Sequence, residues 1–312
     1  MESLSNILAN AVHLGTAPFS EDGIVKWAEK NVILPGGGYA ISGGFRCESS
    51  RHLIAPLEAM ANDTVRRVSI RKATQTGGTL LADLYVPWTF EHRPGPVLWL
   101  MQKEEVARDH AETRVGKLIR EGIKSIAHLL PEDLHKMRLQ EIILRHGVPF
   151  YMRGPSLANT QSKSIRHLIL DECWLYKPGV LAQAEARVEA FEKVGTSKII
   201  EISQGSVVGD QFDESCEKAE QHHWQVPCVH CNQLQPLLLE ERTPGTGKRI
   251  YRMTWNESGS EVRLVCRHCS QPMTWSESLR GFQNRGGAYV WDGRKKNPRH
   301  LFFDWPKLIS KP

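Results

Sequence analysis

The chain has 312 residues and a mass of 35.3 kDa, which is enough for one large core with a small second module, or for two domains. Forty Lys and Arg against 35 Asp and Glu give a net charge of +5, a mild basic excess that permits a nucleic-acid partner without requiring one. No apolar run approaches the roughly 18 to 20 residues of a membrane helix, and the first residues lack the pattern of a secretory signal. We therefore expect no membrane association and a cytoplasmic location.

Predicted helices and strands alternate over the first two thirds of the chain. The predicted helices are at residues 21–30, 79–91, 103–121 and 180–194. The predicted strands are at residues 65–70, 96–101, 166–170 and 198–203. Residues 131–163 show no regular pattern. Because strands that alternate with helices form parallel sheets, we expect an α/β fold whose sheet contains at least these four strands.

The residues after the first predicted strand, RKATQTGGT at positions 71–79, are typical of a phosphate-binding loop. Backbone N–H groups of such a loop and the positive end of the following helix face an anion, and Thr79 could ligate Mg²⁺ through its hydroxyl. The usual loop ends in Gly-Lys-Ser/Thr, whereas Gly78 stands here at the lysine position. We therefore expect Lys72, at the start of the loop, to reach the phosphates, as in a deviant Walker A motif. Taken alone, the loop is more often an ordinary glycine-containing turn.

The predicted strand at residues 166–170 runs directly into Asp171 and Glu172, a pattern typical of a Walker B motif. Its unbroken apolar run indicates a buried parallel strand, and the first polar residues past such a strand lie where open α/β sheets bind ligands. Asp171 would hold Mg²⁺, and Glu172 would polarise an attacking water. The alternative is a strand end with two solvated acids. The phosphate loop earlier in the same sheet favours a nucleotide site.

Four of the seven cysteines form two C-x-x-C pairs, Cys228 with Cys231 and Cys266 with Cys269. In a reducing compartment such pairs favour metal over disulfides, and four thiolates suit a tetrahedral structural Zn²⁺. The spacing is compatible with a zinc ribbon that contains a β-hairpin insert, against the alternative of unrelated reduced cysteines. Nearby basic residues either contact phosphates or form a solvated surface; they are Arg263, Arg267, Arg294, Lys295 and Lys296.

These segments together resemble the ATPase portion of phage terminase large subunits of the lambda-like GpA family. The resemblance rests on the early lysine of the loop, on RGPSLANTQSKSIRHLILDE at 153–172, on SQGS at 203–206 and on VPCVHC at 226–231. It implies a RecA-like P-loop ATPase of the additional-strand (ASCE) type. Such an enzyme hydrolyses ATP with Mg²⁺ and drives double-stranded DNA into procapsids in the cytoplasm of a bacterial host.

The resemblance also implies roles for individual residues. The nucleotide would be bound by the loop residues Lys72, Thr76, Gly77, Gly78 and Thr79, and Mg²⁺ by Thr79 and Asp171. Glu172 would activate water, Ser206 would sense the γ-phosphate, and Arg187 would be offered to the ATP of a neighbouring subunit. The implied partners are double-stranded DNA, the terminase small subunit and the portal or procapsid, with the chain acting in a homo-oligomeric ring.

Two features depart from the family. Thr74 stands where many relatives carry an arginine, and full-length relatives continue into an RNase H-like nuclease beyond the point where this sequence stops. We therefore expect a fragment, a truncated gene or a remnant, without nuclease activity. The expected segments are an N-terminal segment (1–45), a P-loop ATPase domain (46–222), a zinc ribbon (223–275) and the start of a linker or truncated C-terminal region (276–312).

A DNA-packaging ATPase is the leading functional hypothesis, and two others stay open. A helicase-like or other nucleic-acid-stimulated ATPase with a zinc ribbon would use the same strand and loop arrangement. A catalytically silent remnant that binds DNA or protein would explain the unusual residues Thr74 and Gly78.

Overall fold

The computed structural model describes residues 23–132, 140–161, 163–205, 207–243 and 245–309. The helices in these residues are α1 (Ile24–Asn31), α2 (Ile54–Ala61), α3 (Gly78–His92), α4 (Glu104–His110), α5 (Val180–Glu185), α6 (Glu189–Lys193), α7 (Gln211–Lys218) and α8 (Glu277–Gly286). None of these helices is long and apolar enough to span a bilayer.

The strands of the same residues belong to one large sheet and three small ones. They are β1 (Ile33–Leu34), β2 (Gly43–Gly44), β3 (Arg67–Lys72), β4 (Val97–Leu100), β5 (Glu141–Ile143), β6 (Pro149–Arg153), β7 (His167–Asp171), β8 (Lys198–Ser203), β9 (Ala219–Pro227), β10 (Leu234–Pro236), β11 (Glu240–Arg242), β12 (Arg249–Tyr251), β13 (Met253–Trp255), β14 (Val262–Val265), β15 (Pro272–Thr274), β16 (Ala288–Trp291) and β17 (Asn297–Trp305).

The large sheet has the strand order β10-β9-β17-β3-β8-β7-β4-β6-β5, and β16 also pairs with β9. Every pairing from β9 to β6 in this order is parallel, whereas β10, β16 and β5 join antiparallel. The predicted α/β fold with a mostly parallel sheet is thus confirmed. Strand β8 lies between β3, which leads into the predicted phosphate loop, and β7, which ends at the acidic pair.

Two apolar layers cover the sheet, as the alternation of side chains along a strand requires. On β7, Ile169 packs with the core that includes α1, α2 and α3, whereas Leu168 and Leu170 pack with α5 and α7 on the other face. Every residue of β4, β7 and β8 is buried. Burial on both faces is why these strands are near-continuous apolar runs in the sequence.

Several predicted elements differ in detail. The predicted helix at 180–194 is divided into α5 and α6 by a 3-10 turn at Ala186–Val188, and the one at 103–121 continues past α4 through π-helical turns to Gly122. The section at 131–163, predicted to be irregular, contributes β5 and β6. Both strands are short and lie toward the edge of the sheet, where partial exposure removes the apolar run that identifies a central strand.

The largest correction concerns residues 276–312, which we expected to begin a linker or a truncated region. They contain α8, β16 and β17, and β17 is inserted between β9 and β3 in the large sheet. It runs parallel to β3, with His300 opposite Arg67 and Trp305 opposite Lys72. Burial of the aromatic side chains at its end explains why this segment forms a central strand.

The two C-x-x-C pairs belong to a region of short strands between β9 and α8. Strands β11 and β12 form a hairpin, and β13, β14 and β15 form a three-stranded antiparallel sheet. Cys228 and Cys231 follow β9, whereas Cys266 and Cys269 lie in the turn between β14 and β15.

Candidate functional site

The carboxyl ends of β3, β8 and β7 bring the predicted site together. Because these three strands are adjacent and parallel, the segments that follow them leave the sheet at the same edge. They are the phosphate loop between β3 and α3, the polar residues after β8, and the acidic pair at the end of β7. The residues predicted from separate parts of the sequence are therefore neighbours.

The loop between β3 and α3 depends on two residues with left-handed backbone conformations. Gln75 has φ 57°, and Gly77, at the N-cap of α3, has φ 89°. Turns of this kind direct backbone N–H groups into a concavity that binds anions. A β-carbon on Gly77 would also lie 3.1 Å from a methyl group of Leu53, so glycine suits both the conformation and the space.

Lys72 reaches the loop from its front by lying across the first residue of α3. Its side chain is 7% exposed, and a β-carbon on Gly78 would lie 2.7 Å from Lys72 Cδ and 2.8 Å from Cγ. A side chain at position 78 would therefore displace the lysine. The glycine that replaces the usual lysine and the shifted lysine itself are two parts of one arrangement.

Glu172 is held at the centre of a hydrogen-bonded group. Its Oε1 pairs with the ammonium group of Lys72, and its Oε2 accepts from Trp174 Nε1 at 3.1 Å and from the backbone N–H of Gln204 at 3.3 Å. Glu172 has φ 53°, a left-handed conformation that costs roughly 1 to 2 kcal/mol in a residue with a side chain. Such strain is characteristic of functional positions.

Asp171 is a charged exception to the rule that buried polar groups find partners. Its side chain is 1% exposed, and among the described residues neither carboxylate oxygen has a hydrogen-bond partner. Burial raises the pKa of Asp171 to about 6, against the opposing charge of Lys72. The hydroxyl of Thr79 also acts to lower this pKa, so it lies close by, although no hydrogen bond of ordinary geometry joins the two side chains. A buried carboxylate without partners beside a hydroxyl fits Mg²⁺, which prefers oxygen ligands.

Thr76 is held from outside the loop. Its hydroxyl donates to Ala73 O at 2.6 Å and accepts from Trp305 Nε1 at 2.7 Å, and its carbonyl bonds to His52 Nε2 at 3.0 Å. No site role was predicted from the sequence for Trp305, His52, Trp174 or Gln204. For Trp305 the available signal was the aromatic run that ends β17, and for Gln204 it was the SQGS motif.

Among the described residues of the predicted site, Arg187 is not part of this arrangement. Ser206 lies outside the described residues. Arg187 lies in the turn between α5 and α6, and its carbonyl accepts from Ile165 N at 2.9 Å, just before β7 begins. It is therefore at the opposite end of β7 from Asp171, and its assignment remains a prediction.

The four paired cysteines form one cluster. Their sulfur atoms all lie within 4.8 Å of one another, with Cys228 to Cys269 at 3.9 Å and Cys231 to Cys266 at 3.8 Å. Four thiolates around Zn²⁺ at the usual bond length would have sulfur atoms about 3.8 Å apart. The spacing and the donor set therefore fit zinc.

The two C-x-x-C turns have equivalent backbone structures. His230 N lies 3.4 Å from Cys228 Sγ, and His268 N lies 3.4 Å from Cys266 Sγ, so each turn offers an N–H group to a sulfur. Each histidine ring bonds through Nε2 to a backbone carbonyl next to the other turn, at 3.3 Å for His230 and 3.0 Å for His268. These contacts tie the two turns together even without a bound ion.

Most of the basic residues near the cysteines have acidic partners. The ion pairs are Arg263–Glu261 at 2.8 Å, Arg267–Glu241 at 3.2 Å, Arg294–Asp292 at 2.6 Å and Lys296–Glu217 at 3.5 Å. Exposed pairs of this kind contribute little to stability and exchange partners readily. These ion pairs favour a solvated basic surface over direct contact with phosphates for these residues.

Comparison with known proteins gives one family. Residues 40–288 match the family described as phage terminase large subunit gpA, ATPase domain. The ATPase domain of the large terminase of Thermus phage P74-26 is similar in structure, with 14% identity, a TM-score of 0.43 and coverage of 80% of this chain and 79% of that one. An arginine-to-alanine mutant of that domain gives 18% identity, a TM-score of 0.40 and coverage of 58% and 76%. No curated protein matches. The matched residues include the loop, the acidic pair and all four cysteines of the cluster.

Proposed function

This chain belongs to the ATPase-domain family of the phage terminase large subunit gpA, as the resemblance predicted, and we propose that it hydrolyses ATP to drive double-stranded DNA into a procapsid. The observation that carries the proposal is the buried, unpaired carboxylate of Asp171 next to the ion pair of Lys72 and Glu172. A lysine, an acid without partners and a second acid at the end of adjacent parallel strands are the groups that phosphoryl transfer to water requires. The strand order β3-β8-β7 supports the additional-strand type of RecA-like fold.

Each residue of the site would have a separate task. Loop N–H groups and Lys72 would bind the phosphates, together with Thr76, Gly77 and Gly78 of the loop. Thr79 and Asp171 would hold Mg²⁺, which supplies neutralisation of charge on the phosphate oxygens when bound.

Glu172 would polarise the attacking water. In the structure Lys72 bonds to Glu172, so nucleotide binding would exchange this ion pair for a lysine–phosphate pair and release the carboxylate for water. Glu172 would still be oriented by Trp174 and by the backbone of Gln204. The resting ion pair therefore keeps both groups in place without a free buried charge on either.

Two further roles remain proposals from the family. Ser206 would sense the γ-phosphate after β8. Arg187 would serve the ATP of a neighbouring subunit in a homo-oligomeric ring, and its distance from Asp171 along β7 supports a role between subunits rather than within one. The terminase small subunit and the portal or procapsid would be the other partners.

The cysteine cluster would hold a structural Zn²⁺. We propose a zinc ribbon over residues 223–275, inserted into an ATPase unit that comprises residues 46–222 together with β17. Structural zinc contributes on the order of 10 kcal/mol to the folding of small modules. Chelation should therefore unfold this ribbon first, and a purified chain that binds no zinc, or retains β11–β15 after chelation, would contradict the assignment.

DNA-stimulated ATP hydrolysis by the wild type and by Glu172→Ala tests the main proposal. We expect the substitution to lower the rate by about 100-fold or more, because a positioned base contributes roughly 10²–10⁴-fold. Glu257→Ala, an exposed glutamate in the loop between β13 and β14, is the matched control and should leave the rate unchanged.

The other hypotheses predict different outcomes of the same assay. A chain that binds DNA but hydrolyses no ATP would be a catalytically silent binding remnant. Strand separation on forked DNA would instead indicate a helicase-like ATPase.

A further inference from the structure

The phosphate loop, residues 71–79, is held by a hydrogen bond from the end of β17. Trp305, the final residue of β17, is 3% exposed and donates its indole N–H to Thr76 Oγ1 at 2.7 Å. An indole nitrogen is only a donor, so the hydroxyl must accept this bond and give its own proton to Ala73 O at 2.6 Å. The two hydrogen bonds run in series from Trp305 through the Thr76 hydroxyl to the carbonyl of Ala73, and they fix the turn between residues 73 and 76.

His52 holds the same residue from the other side. A carbonyl only accepts, so the bond of His52 Nε2 to Thr76 O requires the ring to donate from Nε2. Burial lowers the pKa of His52 to about 4, so the ring is neutral near pH 7. The His52 ring lies 5.1 Å from the Trp305 ring, and the His52 carbonyl accepts from Tyr289 Oη of β16 at 2.8 Å.

Lys307 adds a third contact, from its ammonium group to Thr74 O at 2.8 Å. The loop needs external support because Gln75 has a left-handed conformation that costs roughly 1 to 2 kcal/mol in a residue with a β-carbon. A strained segment of this kind keeps its shape only where its surroundings determine it.

We propose that Trp305, supported by His52 and Lys307, is a positioning residue that holds the phosphate loop in the shape that receives ATP. The inference rests on the proposed ATP-binding function of the loop. It links the nucleotide site to the C-terminal part of the sheet, because β17 is paired with β3 from His300 opposite Arg67 to Trp305 opposite Lys72. A loop held in advance orients its N–H groups without reorganisation when the phosphates arrive.

Trp305→Phe removes the N–H and keeps an aromatic ring, and Lys307→Met removes an exposed ammonium without disturbing the core. We expect Trp305→Phe to raise the KM for ATP by about 3- to 10-fold, the effect of one lost buried hydrogen bond, with kcat changed by less than about 2-fold. Lys307→Met should raise it by about 2-fold. Trp291→Phe, a half-exposed tryptophan on β16, is the matched control and should change neither constant.

Hydrogen exchange of the free chain supplies a readout that does not depend on activity. Amides of residues 74–78 should exchange faster in Trp305→Phe by a similar factor, and those of β7 should not. Thr76→Val should produce the same loosening, and adding Trp305→Phe to it should have little further effect.

The outcomes separate the two proposals. Unchanged loop exchange, or an unchanged KM with faster loop exchange, would overturn the role of Trp305. If the wild type binds no ATP, the nucleotide-binding function is refuted and so is positioning for ATP, even where Trp305→Phe makes the loop exchange faster. A lower melting temperature with both constants unchanged would show that Trp305 has only a structural role.

Discussion

Two buried carboxylates on neighbouring strands, Asp171 of β7 and Glu201 of β8, have opposite surroundings. Glu201 is fully buried and accepts hydrogen bonds from Arg67 at 3.2 Å, from Ser215 at 2.7 Å and from Ser69. Asp171 is buried to the same degree and accepts none from the described residues. Burial raises the pKa of both groups. A carboxylate with partners stabilises the sheet, whereas one without partners costs stability that a bound cation would return.

The two groups also face different parts of the molecule. Glu201 lies within β8, where Ser215 of α7 and Arg67 of β3 reach it, and Arg67 also pairs with Glu185 of α5 at 2.9 Å. Asp171 lies at the end of β7, where the strands open toward the loop. Inside the sheet, Glu201 has a full set of hydrogen-bond donors. At the carboxyl end of β7, Asp171 has none among the described residues, and this fits a ligand site.

Asp171→Asn should produce the largest effect. We expect ATP hydrolysis to fall by about 1,000-fold, because the amide is a poor ligand for Mg²⁺. Without metal, the free energy of unfolding should rise by about 1 to 3 kcal/mol, because the substitution removes a buried charge without partners. Parallel ATPase and urea-unfolding measurements in chelator would test this pair of opposite changes, and a loss of stability would show that Asp171 has a partner in solution.

Glu201→Ala should have the next largest effect, and it should lower the free energy of unfolding, whereas Asp171→Asn should raise it. The substitution removes the buried acceptor of three hydrogen bonds, those from Arg67, Ser69 and Ser215. We therefore expect the free energy of unfolding, measured in urea, to fall by about 3 kcal/mol. Glu217→Ala, an acid whose side chain is 63% exposed, is the control and should cost less than about 0.5 kcal/mol. If Glu201→Ala cost no more than Glu217→Ala, the hydrogen bonds to Glu201 would not stabilise the sheet.

His300, whose Nε2 lies 2.7 Å from Ser69 Oγ, should make the network sensitive to acid. Burial and the nearby charges of Arg67 and Lys218 lower its pKa to about 3. Between pH 6.5 and about 3 the unfolded chain therefore binds a proton that the folded chain does not, and stability falls as the pH falls. We expect His300→Gln to reduce the loss of unfolding free energy between pH 7 and pH 5 by about 2 kcal/mol. Urea unfolding at the two pH values would measure it, and parallel curves for wild type and variant would exclude this contribution.

Gly78→Ala should have the smallest effect, confined to the edge of the sheet. The added methyl group displaces the Lys72 chain, so the KM for ATP should rise by about 10-fold, although alanine is the better helix former by about 1 kcal/mol. Gly281→Ala is the control within α8, where a new β-carbon would lie 3.3 Å from Nη1 at the flexible end of the Arg285 side chain. An unchanged KM would mean that Lys72 does not need the space over Gly78.

The sequence predicts the central strands well because burial on both faces leaves a continuous apolar run, as in β7 and β8. It does not predict β17, whose first residues, NPRH, are polar or contain proline and show no such run. The same limit applies to the site. The loop and the acidic pair are local patterns, but Trp305 and Thr76 are 229 residues apart, and only the sheet order brings them together.

Nor does the sequence distinguish the two buried acids by their partners. Glu201 in KIIEIS and Asp171 in HLILD are both acids next to apolar residues. The difference arises from side chains on β3 and α7, which are remote in sequence. The role of Arg187 stays a prediction, because its described contact is with Ile165, at the far end of β7 from Asp171. The role of Ser206 stays a prediction, because that residue lies outside the described part of the chain.

The position of β17 has a consequence for how the protein is made. The strand that carries the phosphate loop, β3, has β8 on one side and β17 on the other, yet β17 is synthesised more than 200 residues after it. Until residue 305 has left the ribosome, one edge of β3 has unpaired N–H and C=O groups beside apolar side chains, which is a template for aggregation. Folding of the sheet must therefore wait for the late strand, and the many contacts of long sequence separation should make it slow.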